Sequence, residues 1–481
     1  MTTQNLSRLA RWHRLLALIA VLPVLAWSLT GLLHPIMARW QPSAAAMVPP
    51  PAMVNPPVGS SWQALPAPAS VLPTSLVLTE LRPLTWQGKA YWMAGGADGS
   101  RQYFRASDGQ LSDIEPALMT ALARHFTGIA SGAPELQLIT AFSDEYPFVN
   151  RYLPVWRVHF SGQDTVAFIE PRGLRLAALS DPWKTWFSAT FSQLHSWRAW
   201  THEPSRDITM AIVLSLGLVV VISGILRLFR RASPAAAFTR RWHRRLGWFV
   251  ALGAIASMSS GIFHVLAINK SQPSFNANPP RLAFSAAQLR TLPPVLGVMG
   301  ERSLAVASAN GPLWMSYAMT RAQAGGEHAA HQKSHAALVS FAMILQRVDS
   351  GQPASTEDYV QELATGVLAQ YPSAAIISLQ AITGFTPEYG FVQKRLPVYQ
   401  LILDTPDHLA IYIDPIDAVV SSVVTDLART EGLSFAYLHK ALWLDGIVGK
   451  ETRDVVLGVQ ALGIFVMACL GLLLARRRRL G

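Results

Sequence analysis

Four stretches of this chain, 15–33, 208–226, 246–268 and 455–475, are apolar and carry no Asp, Glu, Lys or Arg. Each is close to the roughly 20 residues a helix needs to cross a bilayer. In hydrocarbon a segment must satisfy its own backbone polar groups, so the four read as transmembrane helices. The composition agrees. The chain is 51% hydrophobic and 14% charged, where a soluble protein carries about a quarter charged residues. Its one cysteine, Cys469, excludes structural disulfides, thiolate zinc sites, iron–sulfur clusters and haem attached through CxxCH.

The formal charge of +11 resembles a nucleic-acid signal until it is mapped. Arg8, Arg11 and Arg14 precede the first stretch; Arg227, Arg230, Arg231, Arg240, Arg241, Arg244 and Arg245 fill the link between the second and third; Arg476, Arg477, Arg478 and Arg479 follow the fourth. No acid lies among these 14 arginines, which by the positive-inside rule places both termini and the central link in the cytoplasm. The other 26 basic residues face 29 acidic ones. The basic balance therefore marks topology, with membrane lipid as the partner and no nucleic acid. The expected division is a cytoplasmic N-terminus (1–14), a first span (15–34), an outer domain (35–207), a second span (208–226), a cytoplasmic basic link (227–245), a third span (246–268), a second outer domain (269–454), a fourth span (455–475) and a cytoplasmic tail (476–481). A cleaved signal peptide is the competing reading of the first span, with the Ala44–Ala46 run as a mimic of a cleavage site. That apolar run is longer than a usual signal core and has an equivalent later in the chain, so it reads as retained.

The chain is written twice. Arg11-Trp12-His13-Arg14 recurs as Arg241-Trp242-His243-Arg244, and Gly31-Leu32-Leu33-His34 as Gly261-Ile262-Phe263-His264, both 230 residues on. Leu153-Pro154-Val155 matches Leu396-Pro397-Val398, Ile169-Glu170-Pro171 matches Ile413-Asp414-Pro415, and Leu194-His195 matches Leu438-His439. The last span of each copy opens at an aspartate, Asp207 or Asp454. The expected fold is thus a membrane α-helical protein with α+β outer domains, its four transmembrane helices arranged as two tandem repeats. Each outer segment starts with a Pro/Ala-rich linker, 41–73 or 271–294. Strands are expected over 89–94, 101–106, 155–160, 166–170 and 314–319, and a hairpin over 397–403 and 409–414. Helices are expected over 115–126, where Leu118, Leu122 and Phe126 share a face, and over 356–371, behind a Ser/Thr–Glu cap.

Six of the 13 histidines obey the duplication: His13, His34 and His195, matched by His243, His264 and His439. His13 and His34 are 21 residues apart, as are His243 and His264. That spacing covers about 31 Å of helix, near the roughly 30 Å hydrocarbon thickness, and returns to within about 60° of the starting face. One imidazole then sits at each surface of a span. His195 and His439 precede the second span of their copies and fall at the outer surface. Ionisable groups at membrane depth are costly and mark function; the plainer alternative is that His13 and His243, flanked by Trp and Arg, are interfacial anchors. Gly31 and Gly261 would let a flat macrocycle approach the helix, or else let helices pack closely. Histidines from opposing helices, with no carboxylate or thiol beside them, suit haem iron better than zinc. Symmetry pairs His13 with His243. At the outer surface the choice among His34, His264, His195 and His439 stays open.

The same residues resemble a known family, the PepSY-associated transmembrane proteins, whose iron-regulated inner-membrane group includes ferric-siderophore reductases. The resemblance runs over nearly the whole chain and rests on Arg11–Arg14, Gly31–His34, the Leu-His segments at His195 and His439 and their second-copy equivalents. It implies a PepSY-like periplasmic domain in each repeat, location in the bacterial inner membrane, two haem b groups with the six paired histidines as iron-ligand candidates, and reduction of a ferric siderophore. Electrons would come from a cytoplasmic donor or membrane quinol, since no nicotinamide or flavin fingerprint is present. The competing class is a non-redox PepSY module that binds peptide, inhibits a protease or assists a transporter. His328, His331 and His335, in a second-copy insertion, are either a metal-binding helix face or a solvated loop. Trp183, Trp186, Trp197 and Trp200 read as an interfacial belt or as the border of a substrate groove, and His125, His159 and His408 as ordinary domain residues.

Overall fold

The computed structural model describes residues 3–229, 238–271, 282–298, 301–321 and 338–477; His328, His331 and His335 lie outside them. Helix α1 (Thr3–Arg39) is followed by strands β1 (Val77–Leu78), β2 (Glu80–Trp86), β3 (Lys89–Gly95) and β4 (Arg101–Arg105). Helix α2 (Glu115–Thr127) leads into β5 (Pro134–Ile139), β6 (Val155–Phe160), β7 (Val166–Glu170) and β8 (Arg175–Ser180). Helices α3 (Pro182–Leu194), α4 (Glu203–Leu228) and α5 (Phe238–Ser271) come next. Strands β9 (Phe284–Ser285), β10 (Arg302–Val306), β11 (Leu313–Arg321) and β12 (Leu338–Arg347) precede helix α6 (Thr356–Leu363). The chain closes with β13 (Ile376–Ile382), β14 (Val398–Leu403), β15 (Ala410–Asp414), β16 (Val419–Val424), α7 (Asp426–Ser434) and α8 (Asp445–Arg477), the last broken at Gly449.

These elements form two compact units, one of residues 1–41, 182–273 and 424–481, the other of 42–181 and 274–423. The first unit is helical. Helices α1, α4, α5 and α8 are each long and apolar enough to cross a membrane. They close a ring in which α1 packs on α4 and α8, and α5 packs on the same two, so α1 and α5 stand diagonally. Helix α3 lies against α1, and α7 against α5. The Arg244 guanidinium donates to the Arg227 and Leu228 carbonyls, which brings the start of α5 to the end of α4. The basic ends therefore gather at one end of the bundle.

The second unit is sheet-rich, and strand propensity and alternation explain most of it. An antiparallel six-stranded sheet has the order β12-β11-β10-β2-β3-β4, joining strands that are far apart in sequence through Ala305 opposite Leu81 and Val306 opposite Glu80. Trp92 and Trp314, fully buried, meet in its core with ring centroids 6.3 Å apart. Two further four-stranded antiparallel meanders, β5-β6-β7-β8 and β13-β14-β15-β16, share one strand order. Helix α2 covers the first with Leu118, Met119, Leu122, Ala123 and Phe126, all with no exposed surface. It ends at Gly128, whose φ of 76° is the left-handed cap a glycine takes without strain. The helix expected over 356–371 stops at Leu363, and a separate turn spans Thr365–Leu368. Gly366 and the β-branched Thr365 and Val367 weaken the continuation.

A buried ionic cluster ties the two meanders to the central sheet. Arg172 Nε reaches Glu80 Oε2 at 2.6 Å, and Arg175 bridges Glu170 at 2.7 Å and Asp417 at 2.6 Å. Arg395 pairs with Asp414 at 3.1 Å and also with Asp417. The Tyr152 ring lies 4.8 Å from each of the Arg175 and Arg395 guanidinium groups. Burial alone would raise the Asp417 carboxyl, but Arg175 and Arg395, with Arg172 and Arg82, outweigh it and hold it well below the usual carboxylate range.

Candidate functional site

All six repeated histidines lie in the helical unit. At the basic end, His13 comes from α1 and His243 from the diagonal helix α5. His13 Nδ1 is 2.9 Å from Ser223 Oγ. That hydroxyl also lies 2.9 Å from the Val220 carbonyl. His243 Nδ1 donates to the Met467 carbonyl at 3.1 Å, which puts its proton on Nδ1. With Nδ1 engaged on each ring, Nε2 is the nitrogen left to ligate a metal. Glycines lie beside both rings. A Cβ at Gly224 would stand 3.4 Å from His13 Cε1, and one at Gly471 would stand 3.5 Å from His243 Cε1.

Four histidines gather at the opposite end. Thr30, fully buried, gives its hydroxyl hydrogen to the Ala26 and Trp27 carbonyls at 2.9 and 3.1 Å. Its Oγ1 also lies 2.9 Å from His195 Nδ1. The Trp27 indole donates to the His195 carbonyl at 2.9 Å and stacks on Trp197 at 5.5 Å, holding this segment against α1. His264 Nδ1 donates to Glu431 Oε1 at 2.5 Å. His439 is carried on a π-helical turn, Phe435–His439, and its buried Nδ1 has no hydrogen-bond partner. Such turns insert one residue into a helix and recur at functional positions.

Two phenylalanines order these rings. His195 stacks on Phe191 at 4.4 Å, and His34 meets the same ring edge-on at 6.1 Å. Phe435 stacks on His439 at 4.9 Å and on His264 at 5.1 Å. Across the two sets, the His195 and His439 rings stand 6.4 Å apart at 89°. Among the described residues no three of His, Cys, Asp and Glu close on one point, as a zinc or non-haem iron centre would require. A donor set of imidazole pairs, with glycine beside the inner rings and phenylalanine beside the outer ones, fits haem.

The structure also places the residues that sequence reasoning weighed less. Gly31 faces Ala461 of α8, and Gly261 faces Leu214 of α4, so both serve helix approach; Gly224 and Gly471 are the glycines next to imidazoles. Trp183 packs on Trp186 at 5.1 Å and on Trp40 at 6.5 Å. His202 caps α4 through Ser205. His125 bonds the Val48 carbonyl, and His159 bonds Glu135 and the Gln163 carbonyl. Sequence spacing passed over Ser223, Thr30 and Glu431, whose signal is that each faces a repeated histidine from another helix.

Comparison of the chain with models of protein families, with curated proteins and with solved structures gives no match.

Proposed function

We propose that this chain is a bacterial inner-membrane electron-transfer protein, a ferric-siderophore reductase holding two haem b groups. In this reading it is two tandem copies, each enclosing a PepSY-like domain on the periplasmic side, with both termini in the cytoplasm. The observation that carries it is the engagement of Nδ1 on His13, His243 and His195 by Ser223, Met467 and Thr30, which leaves Nε2 of each ring for a metal. The equal strand order of the two meanders supports the duplication.

His13 and His243 would hold the haem at the basic end, and His195 with His439 the outer one, with His34 and His264 beside it. Haem, when bound, supplies a one-electron centre that accepts and passes electrons. The chain's own work is to orient and exclude. Hydroxyl and carbonyl acceptors fix the ring that faces the metal, and Phe191 and Phe435 keep water from the outer imidazoles. Fe(II) is held less strongly than Fe(III) by hard oxygen donors, so reduction of a ferric siderophore releases its iron. The electron donor is a cytoplasmic reductant or membrane quinol.

A reduced-minus-oxidised spectrum of the detergent-purified protein, with haem quantified per chain, tests this. A b-type spectrum near two haem groups per chain, halved by His13→Ala, is expected. A folded preparation from haem-replete cells that contains no haem overturns it and leaves the non-redox PepSY module, which binds peptide, inhibits a protease or assists a transporter.

A further inference from the structure

Two loops of the sheet-rich unit repeat one another more closely than the sequence motifs alone reveal. Phe142, Glu145, Tyr146, Phe148 and Val149 recur as Phe385, Glu388, Tyr389, Phe391 and Val392. Each loop is closed by its tyrosine: Tyr146 Oη donates to the Tyr152 carbonyl at 2.8 Å, and Tyr389 Oη to the Arg395 carbonyl at 3.1 Å. Each ends a single 3-10 turn, Phe148–Asn150 or Phe391–Gln393, with a cation in the left-handed region: Arg151 at φ 66° and Lys394 at φ 64°. Non-glycine residues in that region cost about 1 kcal/mol or more and cluster where ligands are clamped.

The two loops meet. Arg151 Nε donates to the Val392 carbonyl at 3.3 Å, Tyr152 Oη to the Lys394 carbonyl at 3.2 Å, and Lys394 Nζ to Asn150 Oδ1 at 3.4 Å. Two cations are thus brought together, and among the described residues neither has a carboxylate partner. The Phe148 ring lies under Arg151 at 4.3 Å. Burial pushes the Lys394 ammonium down, and Arg151 beside it adds to the effect. The contrast lies in the same unit, where Arg82, Arg172, Arg175 and Arg395 are all matched by carboxylates. Beside the unmatched pair, Phe148 is 59% and Val149 43% exposed. A half-buried pair of like charges, on strained backbone and next to an open aromatic ring, is a site built for a polyanion with a flat apolar body.

We propose that the paired loops dock an anionic ferric chelate of the tris-catecholate class. This rests on the reductase reading above for its iron, and on the loops for its charge. Three dianionic catecholates leave Fe(III) with a threefold negative charge, which Arg151 and Lys394 would meet while a catechol ring lies on Phe148. A neutral tris-hydroxamate chelate offers neither the charge nor the ring.

The probe is the gallium(III) complex of a hexadentate tris-catecholate, which cannot be reduced, titrated into the full-length protein by calorimetry. Saturable binding is expected, weakened roughly tenfold or more in Arg151→Gln/Lys394→Gln and largely restored in Arg151→Lys. A gallium tris-hydroxamate should compete poorly. Absent binding, unchanged affinity in a double variant that keeps the wild-type near-UV circular dichroism, or equal binding of the tris-hydroxamate overturns the site. The haem spectrum of the same samples separates the two claims. Anion binding without haem sinks the reductase alone; haem without anion binding sinks the docking site alone.

Discussion

Glu431 stands 2.5 Å from His264 Nδ1, whereas the matching contact in the other half of the bundle is made by Phe187, whose ring centre is 6.2 Å from that of His34. The outer histidine group is therefore chemically lopsided. A carboxylate acceptor makes an imidazole a stronger donor and fixes its orientation, and loss of such a partner typically costs 10–100-fold in metal affinity. On the proposed two-haem reading, Glu431→Leu is expected to shift the outer haem signal in electron paramagnetic resonance and its midpoint potential, leaving the inner signal alone. An unchanged spectrum would show that His264 stands apart from the outer iron.

Glycine substitutions offer a sharper reading of the inner histidines. Gly224→Val and Gly471→Val place branched atoms against rings that a bare Cβ already approaches at 3.4 and 3.5 Å. If haem is held there as proposed, either variant should lose the inner group while the four helices still form. Gly31→Ala, where a Cβ would sit 3.9 Å from Ala461, should retain both haem groups. Haem per chain, measured against helical circular dichroism, checks the contrast.

Asp417→Asn addresses the buried ionic cluster. Leaving Arg175 and Arg395 short of a charge partner should destabilise the sheet-rich unit by about 3–5 kcal/mol at neutral pH. The sign with pH follows from its depressed carboxyl. Stabilisation is fully present above the unfolded carboxylate value of about 4 and drains away as pH falls through the lower folded value. An acid titration of tryptophan fluorescence should show the wild type losing stability below about pH 4, with that slope reduced in the variant.

Trp314→Ala tests the shared core. The indole has no exposed surface and packs on Trp92, so its truncation should cost about 3–5 kcal/mol. Denaturant unfolding of the sheet-rich unit is the measurement. A loss below about 1 kcal/mol would mean that the core closes around the gap.

The bundle was legible because hydrocarbon imposes length and apolarity on a span, and seven of the sixteen described strands because β-branched and aromatic residues alternate there. The break at Ala364 was less so, since the helical period continues past it while local propensity does not. Among the histidines, repetition singled out the six but did not show how they are held. The Ser223–His13 and Thr30–His195 bonds join residues 210 and 165 positions apart, and a hydroxyl among apolar residues has no periodic signature. Glu431 was passed over for the opposite reason, because one acid among many outer-segment acids carries no mark until its neighbour is known.

The junction of β2 with β10 has a bearing on truncation. Each half of the chain contributes a three-stranded ribbon to the central sheet, and only the junction satisfies the facing edge of each. Cut between α4 and α5, either half would present raw hydrogen-bonding groups along an apolar ribbon, an invitation to pair with the first compatible edge. The most compatible edge in reach is a second copy of the same half. Isolated halves should therefore be recovered as dimers or aggregates rather than monomers.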